Sequence, residues 1–443
     1  MRVGFISLGC SKNRVDTEIM MALIKDSGYK VVDSLEKADA AIVNTCGFID
    51  DAKEESINTI IEIGKLKEKG LLKYIVASGC LTQRYGNQLA DIMPELDGVL
   101  GISPFASIVD VLDKVQRGEK VVLIKEPPAI FIEKGPRILT TPPGSAYLKI
   151  TEGCNNRCAY CAIPSIKGVL RSRPVNELVT EAGELVGRGV KELVIIGQDT
   201  AVYGKDLYGE YCLPELLEEI SQIEGLMWIR LMYLHPAHIN QRMIDAIAGN
   251  SKVIPYLDIP IQHASSKILR AMKRGHSFGY LKGLIDNLRN NIKDLVLRTT
   301  VMVGFPGEED GDFKQLYDFV AETEFDWLGV FAFNPEEGTP AASMGDPVQE
   351  DTKTERREKI LALQKRITRK KNITRINKKQ KILISSRLSK NLYIGRGYYQ
   401  APEVDGVTLV KTGTQLAAGK IADVFLKGVR GYDVIGELDD EHT

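Results

Sequence analysis

The sequence has no long hydrophobic run, a net charge of only −1 and only five histidines. Without an apolar stretch near the roughly 18 residues that a membrane span needs, we expect no transmembrane helix. The first residues, MRVGFISLGC, lack the charged start and long apolar core of a secretion signal. We therefore expect a cytoplasmic protein without a membrane partner. The 58 basic residues are matched by 59 acidic ones, which excludes a globally basic nucleic-acid-binding protein.

Cysteine is also scarce, with seven in 443 residues. An odd count without a secretion signal argues against a disulfide scaffold, because the cytosol keeps thiols reduced. Metal binding or catalysis is the better interpretation for most of them. We expect the isolated Cys212 to be a small buried or half-buried residue.

Three cysteines form a C-x3-C-x2-C run, CNNRCAYC, which we call the loop triad: Cys154, Cys158 and Cys161. A four-iron cluster is normally held by four thiolates, so three would leave one iron open to another ligand. Zinc is the main alternative, but it usually takes four Cys or His ligands. No histidine lies near this loop in the sequence, which favours the cluster.

Residues 1–125 alternate strand and helix patterns, which predicts a parallel, doubly wound α/β domain. Helices are expected over residues 16–28, with an acidic start, and over residues 50–64, ending at a glycine. Three further cysteines, the N-terminal triad, each follow a predicted strand: Cys10, Cys46 and Cys80. Because ligands bind at the carboxyl ends of such strands, the three thiols are expected to form one site. The alternative is three separate small buried residues.

Residues 126–145 carry five prolines and predict a linker. The β/α alternation then resumes to about residue 338 with six strand patterns, which predicts a partial or full parallel barrel whose chemistry lies at the strand ends. Residues 353–381 hold 13 basic and two acidic residues, and the face with Ile360, Leu363 and Ile367 is expected to pack on the barrel. Residues 380–443 predict a small antiparallel β-barrel.

The loop triad after the first barrel strand resembles the cluster-binding motif of the radical S-adenosylmethionine superfamily, with Tyr160 at its aromatic position. The resemblance implies that the open iron binds the amino and carboxylate groups of S-adenosylmethionine. It also implies that an electron from the cluster cleaves the cofactor to a 5′-deoxyadenosyl radical, and that the backbone of Tyr160 lies near the adenine.

Over residues 1–440 the domain order resembles the methylthiotransferases of that superfamily. This implies an N-terminal domain over 1–125, a radical S-adenosylmethionine domain over 140–370 and an OB-like TRAM domain over 373–443. In that family the N-terminal triad holds a second cluster that carries the sulfur to be inserted. The implied cofactors are therefore two [4Fe-4S] clusters and S-adenosylmethionine, with no catalytic residue beyond the six cluster ligands.

Several segments resemble the branch of the family that modifies an aspartate of the twelfth small-subunit ribosomal protein. They are SLGCSKNRVDTE, NTCGFIDDAKEES, TEGCNNRCAYCAIPSIKG, GQDTAVYG, YLDIPIQHAS and APEVDGVTL. The resemblance implies methylthio transfer to the aspartate β-carbon. One alternative is a tRNA adenosine methylthiotransferase, whose family members tend to carry Asn in place of Asp199 and Ser in place of His263. A second is a non-catalytic iron–sulfur protein that binds RNA or senses redox state.

Further cofactor-binding residues are expected at the barrel strand ends. The superfamily contacts the methionine part of its cofactor at the second strand end, here Gly197, Gln198 and Asp199; the alternative is a tight turn. Gly304 and Gly307 would permit close backbone approach to the cofactor or would simply form a turn.

One charged residue, Arg298, falls inside a predicted barrel strand. A charge inside a barrel is costly unless it is paired, so Arg298 is expected to neutralise the cofactor carboxylate or to form a salt bridge with a neighbour.

The expected partners are the ribosomal protein, an electron donor such as flavodoxin or ferredoxin, and a sulfur donor. RNA contact through residues 353–381 and the TRAM domain is weighed equally against a solvated charged face.

Overall fold

The first third of the chain forms a parallel sheet in the order β2-β1-β3-β4-β5-β6. Helices α1 and α4 pack on one face and α2 and α3 on the other, because alternate side chains of each strand point to opposite sides. The elements are β1 Arg2–Ser7, α1 Ser11–Asp26, β2 Lys30–Val32, β3 Ala40–Thr45, α2 Asp50–Glu68, β4 Tyr74–Gly79, α3 Cys80–Ile92, β5 Gly98–Leu100, α4 Ile108–Gln116 and β6 Val121–Leu123. The doubly wound prediction is confirmed in this computed structural model, which describes residues 1–102, 105–132, 134–345 and 347–439.

Two helix boundaries differ from the sequence prediction. Helix α1 begins at Ser11, directly after Cys10, rather than near Asp16. Helix α2 continues to Glu68, so Gly64 lies inside it rather than at its end. A Cβ atom on Gly64 would lie 3.3 Å from the Glu95 side chain, which explains a glycine in a helix interior.

The central region is a six-stranded, all-parallel sheet in the order β14-β13-β12-β11-β10-β7, with β7 and β14 at its edges. It is therefore a partial barrel. Its elements are β7 Ser145–Lys149, β8 Thr151–Glu152, α5 Ile163–Lys167, β9 Arg171–Ser172, α6 Val175–Gly187, β10 Glu192–Ile196, α7 Lys205–Tyr208, α8 Leu213–Ser221, β11 Trp228–Leu231, α9 Gln241–Gly249, β12 Val253–Asp258, α10 Ser266–Ala271, α11 Phe278–Asn291, β13 Val296–Val303, α12 Asp310–Thr323, β14 Trp327–Ala332 and α13 Glu350–Ile373. The predicted apolar face of the basic helix α13 is buried on this domain.

The C-terminal strands close a small barrel in the order β15-β16-β17-β19-β18. They are β15 Lys379–Ser389, β16 Leu392–Arg396, β17 Thr408–Lys411, β18 Ile421–Arg430 and β19 Asp433–Leu438. Four of the strand pairs are antiparallel as predicted, and the β17–β19 pair is parallel. The barrel docks on the amino ends of the central strands, where Glu192 of β10 pairs with Arg230 of β11 and Arg396 of β16.

The N-terminal domain contacts both edges of the partial barrel. Glu18 of α1 pairs with Arg137, just before β7. Lys53 and Arg84 both pair with Glu336, just after β14. The two cysteine triads meet at this junction. In the part of the chain that the structure describes, no helix is both long enough and apolar enough to cross a membrane.

Candidate active site: two cysteine triads at a domain junction

The three cysteines of the N-terminal triad come together at the carboxyl edge of the first sheet. Cys10 precedes α1, Cys46 follows β3, and Cys80 opens α3 directly after β4. The loops are tightly packed: a Cβ atom on Gly9 would lie 2.8 Å from Cys46 Sγ. Cys46 and Cys80 are buried, and Cys10 is exposed. Three thiols at neighbouring strand ends, one of them open to solvent, suit a cluster with an accessible corner.

Asn13 connects all three strand ends, a role that no sequence pattern indicated. Its Nδ2 donates to the carbonyl oxygens of Leu8, at 3.2 Å, and Thr45, at 2.9 Å. Its Oδ1 lies 3.7 Å from the Sγ of Cys80, which donates to it. One buried side chain on the first turn of α1 therefore ties the ends of β1 and β3 together beside Cys80.

The loop triad is held by backbone contacts around β8 and α5. The Cys154 amide donates to the Gly168 carbonyl at 3.1 Å, and the Asn156 amide donates to Cys154 Sγ at 3.4 Å. Gly153 has φ +71°, and a Cβ atom there would lie 2.0 Å from the Val169 carbonyl oxygen, so the loop requires glycine at this point.

Burial makes these thiols poor anions on their own. Desolvation raises the pKa of Cys80, Cys154 and Cys161 to about 12 and also raises the pKa of Cys46. A cysteine binds a metal as its thiolate, so a positively charged group has to offset the cost of burying these anions. The iron atoms of a cluster would supply that charge, and the donor sets of both triads fit one.

Arg274 is a second residue that the sequence did not single out. It is 5% exposed, and its Nη1 donates to Cys158 Sγ and to the Tyr160 hydroxyl, each at 3.4 Å. Its Nη2 donates to the Pro260 carbonyl at 2.6 Å. A buried guanidinium therefore directs a charged N–H group at one sulfur of the loop triad. The sequence gives no sign of this contact, because Arg274 follows α10 and lies 116 residues from Cys158 in the chain.

The predicted residues Gly197, Gln198 and Asp199 lie beside the loop triad, at the end of β10. Asp199 accepts from the Asn156 side chain at 2.8 Å, and its Oδ2 lies 2.7 Å from His238 Nδ1. Gln198 donates to Glu152 at 3.1 Å. These contacts join the cysteine loop to the second strand end.

Asp199, His235 and His238 also form a compact group whose potential ligand atoms lie within 4.8 Å of one another. Both Asp199 oxygens are already hydrogen-bonded, one of them by the backbone amides of Ala201 and His235. Burial and the Arg274 charge lower the pKa of His235, so its ring is neutral. The group is therefore a satisfied hydrogen-bond network.

Tyr160 and the two predicted glycines lie in different surroundings. Burial raises the pKa of Tyr160, whose hydroxyl accepts from Arg274. Gly304 has φ +74°, and a Cβ atom there would lie 2.4 Å from the Lys353 side chain, so α13 already requires this glycine. Gly307 has φ +85° and faces no atom within 4 Å.

The structure does not bring Arg298 to this group of residues. It lies near the start of β13, where Nη1 donates to Asp258 at 2.8 Å and Nε lies 3.5 Å from Asp405 of the C-terminal barrel. The sequence allowed two roles for Arg298, and the structure shows the salt bridge with a neighbour. The two carboxylates offset the cost of burying its charge, at the end of the barrel opposite the cysteines.

The two triads lie at one buried junction. Cys80 packs in one buried apolar cluster with Ile102, Ala162 and Ile166, and Ala162 follows Cys161 in the chain. Helix α5 thus connects the loop triad to the N-terminal triad. Its last residue, Lys167, pairs with Glu152 of β8 at 3.3 Å.

Comparison with known proteins agrees with this architecture. Three family models match in sequence order: "Uncharacterized protein family UPF0004" over residues 2–101, "Radical SAM superfamily" over 148–320 and "TRAM domain" over 376–438. A solved radical S-adenosylmethionine methyltransferase, TsrM from Kitasatospora setae, superposes with a TM-score of 0.57 at 15% identity, over 77% of this chain and 76% of that one. That likeness concerns the fold alone.

Two full-length relatives carry the same name, "Ribosomal protein uS12 methylthiotransferase RimO". The protein from Syntrophomonas wolfei is 59% identical over 99% of this chain and 100% of its own length. The protein from Acetivibrio thermocellus is 46% identical over 100% of this chain and 99% of its own length. The chain therefore belongs to the RimO family of radical S-adenosylmethionine methylthiotransferases.

Proposed function

We propose that this protein transfers a methylthio group to the β-carbon of an aspartate in ribosomal protein uS12. The observation that carries the proposal is that Cys80 of the N-terminal triad shares one buried apolar cluster with Ala162, the residue after Cys161 of the loop triad. Radical chemistry and sulfur delivery must act on one carbon atom, so their sites have to be adjacent. Relatives named for uS12 over their full length favour this substrate over a tRNA adenosine.

As a member of the radical S-adenosylmethionine superfamily, the protein uses a [4Fe-4S] cluster and S-adenosylmethionine. We assign that cluster to the loop triad and a second [4Fe-4S] cluster to the N-terminal triad. When bound, these groups supply a radical for hydrogen abstraction, a sulfur atom and a methyl group. The one cysteine outside the two triads, Cys212, is buried in the core of the central domain and supplies no fourth ligand to either.

The chain's own residues position these groups. Asn13 ties the ends of β1 and β3 together, and Arg274 holds one side of the loop triad. Gly197, Gln198, Asp199 and the backbone at Tyr160 remain our candidates for cofactor contact, with Gly307 facing open space. The proposed domain limits are 1–125, 140–370 and 373–443.

The other partners are proposals of the same kind. Several basic residues of α13 are engaged within the protein: Arg356 pairs with Glu308, and Lys370 with Glu324. Any RNA contact would therefore use the exposed cations Arg357, Lys365, Arg366 and Arg369 together with the C-terminal barrel. An electron donor and a sulfur donor are required by the chemistry.

The test is an anaerobic assay of the iron-reconstituted protein with dithionite, S-adenosylmethionine and uS12. We expect 5′-deoxyadenosine and a uS12 mass that has gained one methylthio group in place of a hydrogen. A parallel assay with tRNA should give no modified adenosine. If wild-type protein with full iron content forms neither 5′-deoxyadenosine nor modified uS12, the proposal is refuted.

A further inference from the structure

A buried network of charges fills the junction between the two triads. Lys149 of β7 pairs with Asp16 and, at 3.0 Å, with Glu152. Lys167 pairs with the same two carboxylates, at 3.5 and 3.3 Å. Although burial alone raises the pKa of Glu152, Lys149 and Lys167 hold it well below its usual range. These two lysines and two carboxylates therefore satisfy one another.

Lys12 is the third lysine at this junction, and its surroundings are different. It is 6% exposed, yet its Nζ contacts a carbonyl oxygen, Gly197 O at 3.4 Å, and the ring of Tyr233, 3.7 Å from its centroid. Among the described residues no carboxylate oxygen lies within ion-pair distance, 4.0 Å, of this ammonium group. Burying an ammonium group without an anion is costly, so such a position favours an anionic ligand.

The aromatic residue that covers this ammonium group has an unusual backbone conformation. Tyr233 itself adopts φ +60°, a conformation that is uncommon for residues other than glycine and is often found at functional sites. Its ring holds the ammonium group on one side.

The location of Lys12 identifies the kind of anion. It follows Cys10 by two residues, and its Nζ touches the strand end that continues into Gln198 and Asp199. It therefore lies between the N-terminal triad and the proposed cofactor residues, where the proposed substrate and cofactor have to meet. Both of those molecules carry a carboxylate group.

We propose that Lys12 is a carboxylate-binding residue of the active site. The carboxylate belongs either to the target aspartate or to the methionine part of S-adenosylmethionine, and the inference rests on the proposed function. A charge-assisted hydrogen bond of this kind, formed away from bulk water, changes affinity by roughly tenfold or more when the cation is removed.

Two substitutions separate the charge from the shape of the side chain. Lys12→Met removes the ammonium group and keeps the length, whereas Lys12→Arg keeps a positive charge. Lys12→Gln serves if the Met variant does not fold. Lys25→Met is the matched control, because Lys25 lies on the same helix but is exposed in its last turn. Iron content and thermal unfolding establish that each protein is loaded and folded.

Calorimetric titration of the oxidised, cluster-loaded proteins then measures binding without turnover. The ligands are S-adenosylmethionine, uS12, and uS12 with its target aspartate changed to asparagine. If the aspartate is the source, wild type prefers uS12 to the asparagine form, and Lys12→Met loses that preference by about tenfold or more. If the cofactor is the source, Lys12→Met weakens S-adenosylmethionine binding to a similar degree.

Lys12→Arg should retain most of the affinity that Lys12→Met loses, and Lys25→Met should behave as wild type. The inference is overturned if Lys12→Met, folded and with full iron content, binds all three ligands as wild type does. Failure of the proposed function would look different, because wild-type protein with full iron content would then form no modified uS12.

Discussion

The loop triad comes from eight consecutive residues, whereas the N-terminal triad takes one cysteine from each of three strand ends that lie 36 and 34 residues apart. Local spacing is enough to bring the first set together. The second set exists only when β1, β3 and β4 lie side by side and Asn13 joins their ends. The two triads therefore depend on different parts of the fold, although they meet at one junction.

The largest expected effect distinguishes the chemical roles of the two triads. Cys158→Ala should abolish all turnover, because no radical can form without the loop-triad cluster. Cys46→Ala should abolish methylthio transfer but leave S-adenosylmethionine cleavage to 5′-deoxyadenosine. Each variant should hold about four iron atoms instead of about eight. Quantifying 5′-deoxyadenosine and modified uS12 checks both, and equal loss of both products in Cys46→Ala would contradict separate roles.

The next prediction concerns the stability of the central domain, which carries the loop triad. Burial alone raises the pKa of Glu192, but Arg396 and Arg230 lower it to about 2 from an ordinary value of 4.5. Its ionised form therefore stabilises the protein above about pH 4.5, and this contribution is lost as the pH falls toward 2. Glu192→Gln should cost roughly 3 kcal/mol of the unfolding free energy near neutral pH.

Thermal unfolding across this pH range measures the effect. The difference in thermal stability between wild type and Glu192→Gln should become smaller as the pH falls. Glu219→Gln is the control, because Glu219 is exposed. A gap that stays constant with pH would mean that Glu192 is not ionised by its two arginine partners.

A smaller effect should be confined to the N-terminal triad. Asn13→Ala leaves the carbonyl oxygens of Leu8 and Thr45 without their shared donor, which costs about 1–3 kcal/mol. Iron bound by the N-terminal triad should become labile to chelators while iron in the loop triad stays. Iron release followed by absorbance measures this, with exposed Asn290→Ala as control. Equal release from both triads would show that they are not independently supported.

The smallest effect concerns the loop triad alone. Arg274→Leu removes a positive charge and the N–H group that donates to Cys158 Sγ, so the reduced cluster loses stabilisation. We expect at least a tenfold lower ratio of reduced to oxidised cluster at a given potential, about 59 mV for one electron. A redox titration followed by electron paramagnetic resonance measures it. Arg270→Leu, on an exposed neighbour, should leave the potential unchanged.

The same contrast explains what could be predicted from sequence. Short apolar runs between glycine-rich turns predicted the strands that carry the N-terminal triad, because buried parallel strands have that pattern. The sequence pattern places the start of α1 too late, because Asp16 resembles a helix-start signal. Asp16 instead pairs with Lys149 across the domain junction, and sequence periodicity contains no information about such a contact.

Residues whose contacts lie far away in the chain could not be predicted. Lys12 and Arg274 owe their surroundings to segments that are 185 and 116 residues distant in the chain. The segment APEVDG, a signature used to recognise the branch, lies where the C-terminal barrel docks: Tyr147 donates to Glu403, and Tyr256 donates to Asp405. In this structure the signature marks domain packing rather than a surface beside the cysteines.

We propose that each triad binds a separate cluster with one iron that no cysteine holds. Iron analysis combined with Mössbauer spectroscopy of the reconstituted wild-type protein tests it most directly. We predict about eight iron atoms per chain, in two four-iron clusters that each contain one iron with a spectrum distinct from the other three. About four iron atoms per chain, or two clusters whose irons are all equally ligated, would contradict the account.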